Sequence, residues 1–105
     1  MPTDVYAAIA DPTRRGILDL LAEDGRSVTE LAAPFHMTRP AVSQHLRVLR
    51  EAGLVSERRA GRRRIYQLAP DGLREVDLWL SSYRRFWHTK LAALGEYLAE
   101  TDGQD

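Results

Sequence analysis

Arginine side chains recur beside a serine and a glutamine between Thr38 and Leu68, and these residue types can bind nucleic acid. Arg can make two hydrogen bonds to a guanine edge, and Gln can make two to an adenine edge. If residues 39–52 are helical, their side chains separate into a polar and an apolar face. The polar face carries Arg39, Ser43, Arg47 and Arg50, and the apolar face carries Val42, His45, Leu46 and Leu49. The pattern predicts a helix that packs through one face and contacts nucleic acid through the other.

Signals for the ends of this helix stand on both sides of it. Thr38 is a favourable N-cap residue, and Pro40 suits the first turn, where its missing N–H costs no hydrogen bond. Gly53 suits a left-handed C-terminal cap. A β-hairpin is predicted to follow, with strands from Val55 to Arg59 and from Arg63 to Leu68 joined by Ala60-Gly61-Arg62.

These residues are expected to divide the work of binding. We expect Arg39, Ser43 and Gln44 to contact base edges in a major groove, and Arg47 and Arg50 to meet phosphates. His45, on the apolar face, is expected to be packed and hydrogen-bonded. We expect the hairpin arginines to contact phosphates, and Arg62 at the tip to enter a minor groove. For any single hairpin arginine, the alternative is a solvated charge. The hairpin residues are Arg59, Arg62, Arg63 and Arg64.

A catalytic site is not indicated. Ser43 and His45 are two residues apart and point away from each other on a helix, so they do not form a hydrolase pair. The absence of Cys excludes disulfides and thiolate metal sites. Without a catalytic motif, the sequence predicts a protein that is not an enzyme. Without a signal-peptide pattern or an apolar segment of membrane-spanning length, it predicts a cytoplasmic protein.

The formal net charge of zero conceals an uneven distribution along the chain. Residues 39–64 contain eight Arg and two acidic residues, a net charge of +6. The flanking residues 1–38 and 71–105 each carry a net charge of −3. Only the central segment therefore attracts a polyanion, and the acidic flanks disfavour binding elsewhere on the surface.

The order of predicted elements indicates one small domain over residues 1–105, mainly α with a small β-hairpin. A short helix from Asp4 to Ile9 precedes a second one, opened by Asp11-Pro12-Thr13, whose Arg14 and Arg15 either meet phosphates or are solvated. Val28 is expected to be a short strand residue, and Thr29 to cap a third helix from Glu30 to Phe35. The third and fourth helices then form a helix-turn-helix at about 29–52, followed by the hairpin at 55–68 and a long helix at about 72–99.

Apolar side chains recur every three or four residues along that last helix. A domain this small has little core to cover such a stripe, so we expect a second copy of the chain to bury it, with the first helix contributing. The alternative is that the stripe folds back onto its own domain. The expected interface residues are Val5, Tyr6, Ile9, Trp79, Tyr83, Phe86, Trp87, Leu91 and Leu94.

The sequence resembles the ArsR-type winged-helix repressors over nearly its whole length, from Tyr6 to Leu98. The resemblance rests on ADPTRRGILDLL (Ala10 to Leu21), TELA (Thr29 to Ala32), RPAVSQHLRVLREAGLV (Arg39 to Val55) and RRAGRRRIYQL (Arg58 to Leu68). It implies a winged helix-turn-helix of order α-α-α-α-β-β-α, dimeric through its first and last helices, that represses transcription from a palindromic operator. The positions that match the family's DNA-contacting motif are Arg39, Pro40, Ser43 and Gln44, and Thr38 immediately before them is also expected to contact DNA.

Many members of that family sense metals, and here the sequence departs from them. Ala32, Ala33 and Pro34 stand where the thiolate motif would be. The family's other metal site corresponds to Glu75, Asp77, His88 and Leu91, and Leu91 cannot be a ligand. We therefore expect neither metal nor cofactor, as in the branch of the family without recognised metal motifs. Two alternatives stay open: a protein-docking module on the same scaffold, and a repressor that responds to a ligand or metal.

Overall fold

The computed structural model describes residues 4–102, with side chains for residues 4–99. The chain divides into two compact units, Met1–Arg74 and Glu75–Asp105. The elements of the first unit are α1 (Val5–Ile9), α2 (Pro12–Glu23), α3 (Val28–Phe35), α4 (Arg39–Glu51), β1 (Val55–Ala60), β2 (Arg63–Leu68) and a 3-10 turn (Pro70–Leu73). Helix α5 spans Arg74–Asp102. The predicted order of elements, mainly helical with one antiparallel hairpin, is confirmed.

Capping residues set the starts of α2 and α4, as the sequence predicts. The Asp11 carboxylate accepts a hydrogen bond from the Arg14 amide at 2.9 Å, and the Thr38 hydroxyl accepts one from the Ala41 amide at 3.3 Å. A proline occupies the first turn of each helix, where no intrahelical acceptor is lost. Gly53, with φ of 79°, takes the left-handed conformation expected beyond the end of α4.

Helix α3 begins two residues earlier than predicted, and its cap is Ser27 rather than Thr29. Ser27 and Glu30 form a capping box, in which the hydroxyl accepts from the Glu30 amide and the carboxylate accepts from the Ser27 amide. The box is available only to Ser27, because a glutamate stands three residues after it and none stands three after Thr29. The short strand residue is likewise not Val28, which lies in α3; Arg26 forms that bridge, with Tyr66.

The core of the first unit lies between α2, α3, α4 and the residues leading into β1. Its largest fully buried side chains are Ile17, Leu31, Val42, Leu46, Leu49 and Leu54. Burying each contributes about 1.5–3 kcal/mol relative to exposure. His36 closes α3 in the left-handed conformation, with φ of 53°, and turns the chain into α4. The apolar face predicted for α4 is thus the face that packs, and the polar face remains outside.

The hairpin pairs Val55 with Leu68 at its base and Ala60 with Arg63 at its tip. Ala60 therefore ends β1, and the connection is the two-residue loop Gly61-Arg62 rather than the three residues predicted. Gly61 supplies a φ of 66°, the positive value that such short loops require. The shorter loop keeps Arg62 and Arg63 adjacent at the extreme end of the hairpin.

Helix α5 follows a 3-10 turn and extends beyond the predicted end near residue 99. Its large apolar side chains are exposed, with Trp79 at 53%, Tyr83 at 48% and Trp87 at 54% of their full accessible surface. None of the described helices has the length and apolarity needed to cross a membrane.

Candidate nucleic-acid interface

Helix α4 presents the polar face on which the predicted base contacts lie. Ser43 and Gln44 are exposed at its centre, beside exposed Arg39 and Pro40 at its start. Three buried residues on the opposite face, Val42, Leu46 and Leu49, fix the rotation of the helix about its axis. The exposed face is therefore held in one orientation relative to the rest of the first unit. Recognition of base edges requires such a fixed surface.

Farther along α4, the arginines are partnered by carboxylates of the protein. Arg47 pairs with Glu51 at 3.3 Å, and Arg50 pairs with Glu57 of β1 at 2.9 Å. Both arginines remain exposed and their carboxylate partners are at least partly exposed, so each pair contributes about 0–1 kcal/mol and each arginine can exchange its partner for another anion. Thr38 caps the helix and is also exposed.

Glu57 connects the base of the hairpin to α4. Besides its ion pair with Arg50, it lies directly opposite Tyr66 across the hairpin. Burial raises the pKa of the Tyr66 phenol, and the negative charge of Glu57 raises it further. The phenol therefore stays protonated at neutral pH, and the Arg50–Glu57 ion pair joins the hairpin to α4.

The hairpin, here called the wing (Val55–Leu68), carries arginines on both faces. Arg59 lies directly opposite Arg64, and Ala60 lies opposite Arg63. Because paired residues share a face and successive residues alternate, Arg59 and Arg64 lie on one face while Arg58 and Arg63 lie on the other. Like charges opposite each other destabilise a hairpin, and a bound polyanion removes that cost.

A cleft of about 400 Å³ lies between the start of α3 and the wing. It brings Arg39 of α4 together with three arginines of the wing, although the sequence analysis assigned them to different roles. Its lining residues are Ser27, Val28, Thr29, Arg39, Arg62, Arg63 and Arg64. Sequence reasoning missed the contribution of α3; the S-x-x-E capping box at Ser27 was the signal that would have placed a helix N-terminus here.

Glu30 connects the start of α3 to the wing. Its carboxylate accepts hydrogen bonds from the Ser27 amide and hydroxyl at 3.2 Å and 3.0 Å, and it pairs with the Arg63 guanidinium. The hydrogen bonds from Ser27 lower the pKa of this carboxyl, and the charge of Arg63 lowers it further. Glu30 is therefore ionised at neutral pH and partners one of the arginines predicted to bind DNA.

Arg14 and Arg15, considered as phosphate contacts or solvated charges, both bind carbonyls at the end of α1, although Arg15 remains exposed. The Arg14 guanidinium donates to the carbonyls of Ala8 at 2.7 Å and Ala7 at 3.1 Å, and Arg15 donates to that of Ile9 at 2.8 Å. Arg14 also lies 3.4 Å from Nδ1 of His45. This confirms His45 as a packed histidine with a polar partner, and it links α1 to α4.

The residues predicted to form a dimer interface differ in exposure. Val5 is only 4% exposed, so its side chain belongs to the core of the first unit and cannot contact a partner as predicted. Tyr6 and Ile9 are half-buried. The α5 residues are exposed, namely Trp79, Tyr83, Phe86, Trp87, Leu91 and Leu94.

The positions that match the family's second metal site show no metal-binding cluster. Asp77 pairs with Arg84, which occupies a carboxylate that a cation would need. Among residues 4–102, no group of three or more His, Asp or Glu side chains is placed to hold a metal ion.

Comparison with known proteins agrees with this arrangement. Residues 11–57 match the family model for "Bacterial regulatory protein, arsR family". The chain is 44% identical over 104 residues to the HTH-type transcriptional regulator Rv2034 of Mycobacterium tuberculosis, covering 99% of this chain and 94% of that one. It is 35% identical over 80 residues to the transcriptional repressor SdpR of Bacillus subtilis, covering 76% and 89%.

A solved structure is similar in fold as well as sequence. It is the homodimeric winged helix-turn-helix DNA-binding domain of a possible ArsR-family transcriptional regulator from Mycobacterium bovis. The TM-score is 0.63 at 36% identity, covering 76% of this chain and 75% of that one. The similarity supports a winged helix-turn-helix as the fold that displays α4 and the wing.

Proposed function

The chain belongs to the ArsR family of bacterial regulatory proteins, and on that premise we propose that it represses transcription as a homodimer bound to a palindromic operator. It is a DNA-binding transcriptional regulator and not an enzyme. The observation that carries the proposal is that the polar face of α4 and the arginine-rich wing are both exposed, although the net charge of the protein is zero.

Base recognition is assigned to the centre of α4. Ser43 and Gln44 are exposed there and have side chains able to bond base edges, and an α-helix fits the major groove. The surrounding cations supply sequence-independent affinity by binding phosphates. Thr38 and Pro40 set the start of the helix against the DNA backbone. The proposed phosphate ligands are Arg47, Arg50, Arg59, Arg62, Arg63 and Arg64.

Dimerisation is assigned to the exposed apolar face of α5. Aromatic and leucine side chains there are about half exposed in the single chain, which is unusual for a surface that faces water permanently. Tyr6 and Ile9 of α1 are proposed to add to this interface, whereas buried Val5 is not. The homodimeric M. bovis domain supports dimerisation, and the exposed apolar side chains of α5 support its placement on this helix.

A two-fold symmetric dimer fits an operator that is an inverted repeat. Two α4 helices reach successive major grooves when the half-sites are about 34–36 Å apart, one turn of DNA. The proposal includes no inducer. A shallow groove on α5, lined by Arg84, Trp87, His88 and Leu91, lies on the face assigned to the second copy.

Selection from a pool of randomised duplexes tests this function without assuming where the operator lies. The proposal predicts enrichment of an inverted repeat with half-site centres about 10 base pairs apart. A Gln44→Ala variant, selected in parallel, should enrich a more degenerate motif. If the wild-type protein enriches no motif after repeated rounds, the proposed sequence-specific function is wrong.

A further inference from the structure

The basic cleft between α3 and the wing has an acidic neighbour, Glu30. It pairs with Arg63, which lines the cleft with Arg39, Arg62 and Arg64. About half of each side chain in the pair is exposed, 48% for Glu30 and 60% for Arg63. Incoming DNA can therefore reach the guanidinium without any rearrangement of the core.

Two further features make this cleft suitable for a phosphate. The capping box uses the amides of Ser27 and Glu30, but the amides of Val28 and Thr29, at the first two helical positions, have no acceptor within the helix. Both residues line the cleft. Their N–H groups and the positive end of the helix dipole thus act together with the four arginines on the same anion.

We propose that Glu30 holds Arg63 in the free protein in the way that a DNA backbone phosphate holds it in the complex, so that binding exchanges a carboxylate for a phosphate in this cleft. The inference rests on the proposed function. It assigns Arg39 to the backbone contact in the cleft rather than to a base edge. It also makes Glu30 a positioning residue that keeps the wing next to α3 and restrains sequence-independent affinity.

The substitution Glu30→Gln isolates the charge from the fold. Gln also serves at the third position of a capping box, so α3 keeps its N-terminus while Arg63 loses its ionic partner. Glu23→Gln is the matched control, because Glu23 is an exposed carboxylate that also pairs with an arginine, Arg26 at 3.0 Å, and this arginine does not line the cleft. Thermal denaturation of both variants checks that the fold is retained.

Affinities for operator and for an unrelated duplex are measured by fluorescence anisotropy at fixed salt. Glu30→Gln is expected to tighten binding to both duplexes by the same factor, about two- to fivefold, the range for one exposed ion pair. Glu23→Gln should change neither affinity by as much. In an Arg63→Ala background the gain from Glu30→Gln should disappear.

An unchanged affinity in Glu30→Gln, or an equal gain in the Arg63→Ala background, overturns the exchange. A titration with inorganic phosphate at constant ionic strength, followed by the amide signals of Val28 and Thr29, separates a DNA phosphate from a free anion. Saturation of those signals by low millimolar phosphate assigns the cleft to a free anion and also overturns it. Loss of operator preference in the wild-type protein refutes the proposed function instead, since the unrelated duplex still reports on the exchange.

Discussion

At the scale of single residues, arginines that look alike in the sequence have three different environments. Arg14 is bound to carbonyls of α1, Arg63 is paired with Glu30, and Arg62 is exposed at the wing tip. Only an arginine like Arg62 can gain its full interaction with DNA, because it has no partner among the described residues that DNA must displace. The functional value of an arginine here depends on what it already contacts.

The distinction between base and phosphate contacts gives a prediction for two variants. Gln44→Ala removes a base contact and should cost about 1–3 kcal/mol on the operator, with little change on an unrelated duplex. Arg62→Ala should weaken binding to both duplexes and reduce the slope of log affinity against log salt by about 0.9. Anisotropy titrations at several salt concentrations measure both effects, with Arg74→Ala, at an exposed arginine that does not line the basic cleft, as control. Equal losses on both duplexes for Gln44→Ala would contradict its assignment to a base edge.

The sequence predicted residue roles where the local spacing alone determines them. The amphipathic pattern of α4 correctly placed His45 on the packed side, and the caps at Thr38 and Gly53 followed from short-range rules. The partners of Arg14 and Arg63 did not follow, because Ala8 and Glu30 lie on other elements and the pairing depends on how those elements pack. Long-range contacts of this kind are absent from any local pattern.

At the scale of elements, the start of α2 shows how one carboxylate stabilises a helix. Asp11 accepts the Arg14 amide, and this hydrogen bond lowers the pKa of its carboxyl from the usual 3.8. A group whose pKa is lower in the folded state stabilises the fold above its unfolded value, and the contribution is lost as the pH falls through the folded value. The ionised cap is therefore fully effective at neutral pH.

The variant Asp11→Ala should accordingly lose about 1 kcal/mol of stability at neutral pH, as N-cap removal typically does. The difference in free energy of unfolding from wild type should shrink as the pH falls below about 4, where the wild-type carboxyl becomes protonated. Urea denaturation at a series of pH values measures it. Asp19→Asn, at an exposed position within the same helix, is the control for a lost charge. A stability difference that grows in acid would show that the carboxylate is not the stabilising species.

The elements themselves were largely predictable, and the errors have physical causes. Thr29 and Ser27 are both acceptable caps, but only Ser27 has a glutamate three residues later to complete the box. The loop was assigned one residue too many at Ala60, since Gly61 fits both the first position of a two-residue connection and the second position of a three-residue one. Both errors concern element ends, where several local solutions compete.

At the scale of the whole molecule, the cationic and the exposed apolar side chains belong to different elements. This explains how a protein with no net charge can bind DNA and form a dimer. The cationic residues 39–64 coincide with α4 and the wing, while exposed aromatic residues are concentrated on α5. Both surfaces were predictable from the composition along the chain. The cleft that α3 shares with the wing was not predictable, because it depends on tertiary packing.

The dimer interface proposed on α5 can be tested by adding one charge. Trp87→Glu should give monomers and lose operator affinity together, because a carboxylate buried in an apolar interface is strongly unfavourable. Analytical ultracentrifugation measures the mass, and anisotropy measures the binding. Thr89→Glu adds the same charge at an exposed position away from the apolar stripe and should remain dimeric. A Trp87→Glu protein that stays dimeric would place the interface elsewhere.

The central claim is that α4 and the wing give sequence-specific binding, and competition between duplexes tests it most directly. A labelled duplex carrying the selected inverted repeat is titrated at physiological salt and then displaced by unlabelled repeat or by a scrambled duplex of equal length and composition. The account predicts that the scrambled competitor is at least about 10³-fold weaker, the lower range for specific DNA-binding proteins. Equal displacement by the two competitors would contradict it, because the binding would then come from phosphate contacts alone.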